Sequence, residues 1–329
     1  MNPFAYARPE DPEEAIALLD ADTTSSAIAG GTTILDLMKA GIEVPAQLVD
    51  ITPLPFHDIE DDDARGVLRI GALATMSDVA RHPTIRDRFP LIELALEAGA
   101  TPQLRNMATI GGNLMQRTRC DYFRDPAFAA CNKRLPGSGC AARDGENRKH
   151  AVLGTSDHCI ATHPSDLAVA LVALDARIHL QGPDGARTIP VEDFHLLPGA
   201  TPHRETAIRR GELIRSVEIL APPHAARAVY RKVRDRASYE FALVAVAALL
   251  TIEDDRIATA RVALGGVATK PWRSREAEAA LTGAPPTHAT FEAAATAALR
   301  DAHPRTHNAY KVDLARRTIA LALTEATRP

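Results

Sequence analysis

Two kinds of residue in this chain could do chemistry at the spacing they have. All four cysteines, Cys120, Cys131, Cys140 and Cys159, fall in one stretch, separated by ten, eight and eighteen residues. Two short turns flank that stretch, Thr109-Ile110-Gly111-Gly112-Asn113 before it and Pro164-Ser165-Asp166 after it. Near the N-terminus stands a second glycine turn, Gly30-Gly31-Thr32-Thr33. Thiolates bind soft metals and iron–sulfur clusters, and glycine turns bring backbone N–H groups close to phosphates. The order implies a cysteine-lined insertion set between two halves of a small-molecule site.

The cysteines admit four readings. Disulfides need an oxidising compartment and rank last. Unligated buried thiols rank third, because the neighbours (Arg119, Asp121, Asn132, Lys133, Arg134, Gly137, Ser138, Gly139) are not core residues. Zinc ranks second, since it usually takes cysteines paired two to four residues apart and none are. An iron–sulfur cluster ranks first, because each iron takes one thiolate from its own direction. Gly137 and Gly139 would then let N–H groups approach the sulfides, and Arg117, Arg119, Lys133 and Arg134 would offset the cluster's negative charge.

The elements that must position these groups read as α+β in three parts. Residues 1–57 suggest a helix over 13–20 with Ala15, Ile16, Leu18 and Leu19 on its apolar face, a strand at 26–29, the glycine turn, a helix over 34–40 and extended chain at 44–51. Strand, glycine turn and helix start form a phosphate-presenting geometry. The plain alternative is that Thr33 caps the helix, with Asp36 three residues on. Residues 58–222 suggest strands at 67–71, 176–180, 187–189 and 212–220, with Gly182-Pro183-Asp184-Gly185 as a hairpin turn. Helices are expected at 77–81, 90–99 and 165–174. The acidic run Glu60-Asp61-Asp62-Asp63 reads as a solvated turn, and Pro222-Pro223-His224 as a linker. Residues 225–329 suggest three antiparallel strands (228–234, 241–252, 256–264) and closing helices, the last over about 309–326.

Of the 329 residues, 46% are hydrophobic and 24% charged, with net charge −4, so a nucleic-acid binder or polybasic membrane anchor is not expected. No apolar run approaches the roughly twenty residues of a membrane span. The N-terminus shows no secretory pattern, so the cytoplasm is the expected compartment. A signal-bearing partner could instead carry the folded subunit to the periplasm. No G-x-G-x-x-G follows a strand, so a nicotinamide site is not expected.

Six motifs in order carry a family resemblance: AGGTT (29–33), ATIGGNL (108–114), HPSDLAVALVALDA (163–176), GELIRSVEI (211–219), YRKVRDRASYEFALVAVA (230–247) and ALGGVATKPWR (263–273). The sequence resembles the FAD-binding subunit of molybdenum hydroxylases, the xanthine dehydrogenase and carbon monoxide dehydrogenase group. Within it, the chain is most similar to bacterial aldehyde oxidoreductase flavin subunits that also carry a four-iron cluster. Most relatives run almost directly from TIGGN to the SPxxD-like segment, whereas here about fifty residues with all four cysteines intervene.

The resemblance implies a two-subdomain FAD-binding domain of the vanillyl-alcohol-oxidase type over 1–222, with subdomains 1–57 and 58–222 and a cluster insertion at about 115–162. A C-terminal domain at 225–329 carries a three-stranded antiparallel sheet. Ile28, Ala29, Gly30, Gly31, Thr32, Thr33 and Ile34 would hold the FAD pyrophosphate. Thr109, Gly111, Gly112 and Asn113 would form a second backbone cradle, and Asp166 would bond the flavin's sugar-like chain or ring edge. Ile214 would pack near the isoalloxazine, and Lys232 would lie at the flavin edge. Cys120, Cys131, Cys140 and Cys159 would hold a 4Fe-4S cluster. A large molybdenum-cofactor subunit and a small 2Fe-2S subunit complete the implied heterotrimer, which oxidises aldehydes and passes electrons through FAD to an external acceptor. No catalytic base is assigned to this chain, and His163 is left as structural. The rivals are a self-sufficient FAD oxidase or dehydrogenase, and a zinc-stapled interaction module without flavin.

Overall fold

The computed structural model describes residues 1–222 and 226–328. Three strands form the first sheet: β1 (Ala5–Ala7), β2 (Ser25–Ile28) and β3 (Gln47–Asp50), all parallel in the order β1-β3-β2. Helix Pro12–Ala21 crosses between β1 and β2. Asp11 caps it by accepting the Glu14 N–H at 2.8 Å, and Pro12 occupies the first turn, where no donor is needed. Its buried Ala15, Ile16 and Leu19 pack with Val49, Leu54 and Phe56.

The second sheet is antiparallel, with β4 (Ile59–Asp62), β5 (Val67–Gly71), β6 (Arg177–Gly182), β7 (Gly185–Pro190) and β8 (Leu213–Leu220) in the order β4-β5-β8-β6-β7. The acidic run departs from expectation. Glu60, Asp61 and Asp62 belong to β4 and pair with β5, and the turn begins only at Asp63. Arg88 bonds Asp61 at 2.8 Å and Arg69 reaches Glu60 at 3.4 Å. An edge strand tolerates carboxylates that a central one would reject, because one side faces water.

The third sheet contains β9 (Arg227–Val233), β10 (Val244–Glu253), β11 (Arg256–Gly265) and a short fourth strand, β12 (Trp272–Arg273), which extends the three expected. Alternation explains the apolar run in β10. Val244, Val246, Ala248 and Leu250 face the closing helices Arg275–Leu281, His288–Ala298 and Tyr310–Glu325, while Ala247 and Leu249 join the core around the second sheet. Each face is covered, so no polar alternation is required. Of the linker, Pro223 and His224 lie outside the described residues. No described helix is long and apolar enough to cross a membrane.

Helix Asp166–Ala173 is apolar all round after its first residue, and all eight of its residues are buried. It sits between the second and third sheets and against helix Pro90–Ala98. Whatever its N-terminus carries is therefore held from every side.

Candidate functional site

Two connected chambers open where the three sheets meet. The larger, about 610 Å³, is lined by Ala29, Gly30, Gly31, Thr32, Thr33 and Ile34, by Thr109, Gly111 and Gly112, and by Leu213 and Ile214. The smaller, about 240 Å³, shares Thr32, Thr33 and Gly112 and adds Asn113, Asp166 and Lys232. Ile28 lies in β2 rather than on the cavity wall, and its carbonyl accepts the Ile51 N–H at 3.0 Å. Ile214 and Lys232, both expected beside the isoalloxazine, line different chambers.

The two glycine turns use their amides differently. Among the described residues, the N–H groups of Gly30, Gly31, Thr32 and Thr33 have no hydrogen-bond partner, and Thr33 makes no side-chain cap. That leaves a row of donors for an anionic ligand, and the capping alternative fails. Gly30 is required by proximity: a Cβ there would stand 1.7 Å from the Met107 carbonyl oxygen on the opposite wall. In the second turn the amides are engaged. Gly111 N donates to the Ala72 carbonyl at 2.8 Å, Gly112 N to Thr109 Oγ1 at 3.2 Å and Asn113 N to the Thr109 carbonyl at 2.8 Å. The expected second amide cradle is thus a close-packed wall, with Thr109 capping helix Ile110–Leu114.

Asn113 ties that wall to the far side of the insertion, accepting from Ser165 Oγ at 2.5 Å. Ser165 Oγ in turn accepts the Ala168 N–H at 3.0 Å and so starts the buried helix. Asp166, next along, was expected to bond the flavin. Its two oxygens are already taken, by Tyr230 Oη at 2.7 Å and Lys232 Nζ at 2.8 Å. Lys232 also donates to the Ala98 carbonyl at 3.1 Å, and its side chain is 5% exposed, which removes the surface-charge alternative. Burial and the neighbouring Asp166 carboxylate push the Tyr230 hydroxyl well above its ordinary pKa. Tyr230 was missed from sequence, although the i,i+2 spacing with Lys232 in a strand puts both on one face.

The four cysteines are free thiols, with Cys131 and Cys159 buried and Cys120 and Cys140 half-buried. Cys131 and Cys140 face each other across an isolated antiparallel bridge. Burial pushes the Cys120 thiol up to about 12, and Cys159 and Cys131 add to it. Burial likewise raises Cys159 to about 11, with Cys140 adding and Lys133 opposing, and raises Cys140, which also feels Cys131. All four sulfurs therefore share one electrostatic neighbourhood. Among the described residues no three His, Cys, Asp or Glu groups converge closely enough for a single metal ion. Zinc needs sulfurs about 2.3 Å from one centre, whereas a cubane spreads its ligands. The Ala161 N–H donates to Cys159 Sγ at 3.4 Å. Such a donor stabilises a ligated thiolate, and four neighbouring thiols are a donor set that a cluster can use.

Two expectations about this region need correction. Gly139 N–H donates to Asn132 Oδ1 at 2.9 Å rather than toward sulfur, and a Cβ added at Gly137 would meet nothing within 4 Å, so no close approach requires a glycine there. The cations are also largely spoken for. Arg117 bonds Glu205 and Glu43, Arg119 bonds Asp36 at 3.0 Å, and Arg134 donates to the carbonyls of Tyr122, Phe123 and Phe128. Lys133 bonds the Pro202 carbonyl at 3.0 Å and lies 3.3 Å from Glu205. Burial would raise the Glu205 carboxyl, but Lys133 and Arg117 outweigh it and hold Glu205 below its ordinary value.

Further contacts hold the insertion to the C-terminal domain. Lys311, fully buried, donates to the carbonyls of Lys149, His150 and Gly266 at 2.8, 3.1 and 2.7 Å. Asn147 Oδ1 accepts the His307 N–H at 3.0 Å. His150 Nε2 lies 3.1 Å from Cys120 Sγ. None of these was foreseen, because the partners lie up to about 160 residues apart and no local pattern joins them. His163 packs edge-on against His195 at 4.3 Å between ring centroids; burial keeps both neutral, with His195 lowered to about 4.

A cavity with unpaired amides on one wall and a buried Asp–Lys–Tyr set at one end is built for an anionic ligand. The family model described as the FAD binding domain in molybdopterin dehydrogenase matches residues 2–222, and that of the CO dehydrogenase flavoprotein C-terminal domain matches 228–326. The chain belongs to the FAD-binding medium subunits of the molybdenum hydroxylase family, and is one subunit of an oxidoreductase complex. It is 51% identical over 99% of both chains to the aldehyde oxidoreductase FAD-binding subunit PaoB of Escherichia coli. It is 27% identical, over 85% of this chain and 81% of the other, to the glyceraldehyde dehydrogenase medium chain of Sulfolobus acidocaldarius. A carbon monoxide dehydrogenase structure from Hydrogenophaga pseudoflava superposes with a TM-score of 0.78 at 25% identity, covering 99% and 97% of the two chains.

Proposed function

We propose that this chain is the electron-transfer subunit of a molybdenum-containing aldehyde oxidoreductase, holding FAD in the two chambers and a 4Fe-4S cluster on Cys120, Cys131, Cys140 and Cys159. The observation that carries this reading is Leu37. It lines the larger chamber and also packs against Phe123 and Cys131, so one side chain separates the flavin cavity from the thiols. The pyrophosphate would lie on the free amides of Gly30, Gly31, Thr32 and Thr33, with Ala29 and Ile34 at the ends of that turn. Thr109, Gly111, Gly112 and Asn113 form the opposite wall. Asp166 and Lys232, fixed by each other and by Tyr230, would shape the end of the smaller chamber where the ring sits, and Ile214 would line the other end.

Partners with a molybdenum cofactor and 2Fe-2S clusters would convert an aldehyde and water to a carboxylic acid, releasing two electrons and two protons, and FAD here would pass the electrons to an external acceptor. This chain's own residues bind, orient and insulate. The 51% identity to an aldehyde oxidoreductase subunit supports the aldehyde assignment. The compartment on this reading is the cytoplasm, unless a signal-bearing partner exports the folded complex.

Anaerobic purification with a visible spectrum and iron, sulfide, zinc and flavin quantification tests the reading. Flavin bands with about four irons and four sulfides per chain are the expected result. Flavin without iron leaves an FAD subunit and removes the cluster. Zinc without flavin removes the whole reading. Purification without copurifying subunits, with full aldehyde oxidation, would favour a self-sufficient flavoenzyme.

A further inference from the structure

We propose that His150 donates a hydrogen bond to the Cys120 sulfur and thereby raises the reduction potential of the bound cluster. This rests on the cluster reading above. His150 is 5% exposed, and its Nε2 stands 3.1 Å from Cys120 Sγ. A cysteine ligated to iron has lost its proton, so its sulfur can only accept. The contact then requires the ring proton on Nε2. Nδ1 is buried without a hydrogen-bond partner.

The backbone that carries the ring is anchored by the C-terminal domain. The His150 carbonyl accepts from Lys311 Nζ at 3.1 Å and from Asn308 Nδ2 at 3.3 Å, and the Ala151 carbonyl accepts from the same Asn308 nitrogen at 3.1 Å. Tyr122 flanks the ring at 6.1 Å between centroids. The anchored backbone sets where the ring starts, and burial beside Tyr122 and Cys120 limits where it can turn. Cys159 Sγ accepts a backbone amide, that of Ala161 at 3.4 Å, whereas the contact on Cys120 Sγ is a side-chain ring nitrogen. Donation to sulfur draws off electron density and favours the more negative, reduced cluster. His150 is on this account a positioning and tuning residue, not an iron ligand.

The test is an EPR-monitored redox titration of the flavin- and iron-loaded complex carrying His150→Phe, His150→Leu or His150→Gln. Expected are iron and sulfide equal to the parent, a cluster potential shifted to more negative values in the apolar variants, a smaller shift in His150→Gln, and an unmoved flavin potential. A potential equal to the parent's in every iron-bearing variant overturns the proposal. Loss of iron from all three variants also overturns it, making His150 a ligand or a scaffold element. A parent complex without iron overturns the cluster reading itself, and is seen before any variant is made.

Discussion

Segments spread from Ala29 to Lys232 meet around the two-chamber cavity, whereas one continuous stretch, 115–162, supplies every thiol of the insertion. The cavity keeps its walls apart and leaves amides free at Gly30, Gly31, Thr32 and Thr33. The insertion does the reverse. Its single short helix, Asp121–Arg124, is surrounded by turns whose amides and carbonyls are taken up by Asn132, Arg134 and Asn147. A ligand that arrives whole needs an open, preformed cleft. A group assembled on thiols needs a loop closed tightly enough to aim them, and the loop with little secondary structure borrows rigidity from the C-terminal domain through Lys311 and Asn308.

The sharpest way to break this contrast is Cys131→Ser. It should take iron from about four per chain to background while flavin stays bound, as measured by metal and flavin analysis. Parallel loss of both groups would show that the two regions are one folding unit. Lys232→Met comes next. It leaves the Asp166 carboxylate buried beside Tyr230 without its cation, so urea unfolding should lose about 3–5 kcal/mol with iron content unchanged. Gly30→Ala places a Cβ against the Met107 carbonyl and forces the turns apart. Flavin affinity should fall about tenfold, equivalent to about 1.4 kcal/mol, as read by titration of the flavin-stripped protein, and the cluster should be unaffected.

A more gradual effect is in pH. Burial lowers His195 from its ordinary 6.5 to about 4, so the unfolded chain binds a proton first as pH falls. The stability from neutral His195 is complete above pH 6.5 and declines through pH 4, on the order of 1 kcal/mol per pH unit. His195→Gln, which keeps a donor for the Leu114 carbonyl, should flatten that part of the urea-unfolding profile.

Much of the fold was legible because its signals are local. The 67–71 strand appears as β5, the Gly182-Pro183-Asp184-Gly185 hairpin joins β6 to β7, and the all-apolar helix after Ser165 lies where its composition requires burial. The turn at Gly30 was legible as a glycine turn, but not as free amides, since Thr33 capping the helix fitted the same local pattern and only the family resemblance pointed to a ligand there. The look-alike turn at Gly111 was no more legible, because whether an amide is free depends on what stands opposite it, and Ala72 does. Ile214 and Lys232 were put at one end of the cavity because sequence carries no information about which wall each strand forms.

The sequence by itself determined the family, the three-sheet composition, the glycine turns and the set of four thiols, all of which follow from residue type and short spacing. Only the tertiary structure decided that Asp166 is held by Tyr230 and Lys232, that Leu37 stands between cavity and cysteines, and that His150 meets Cys120 under the grip of Lys311. Each of these is a contact between segments whose separation along the chain sets no distance in space. Burial from several sides at once, which no local pattern encodes, fixes them.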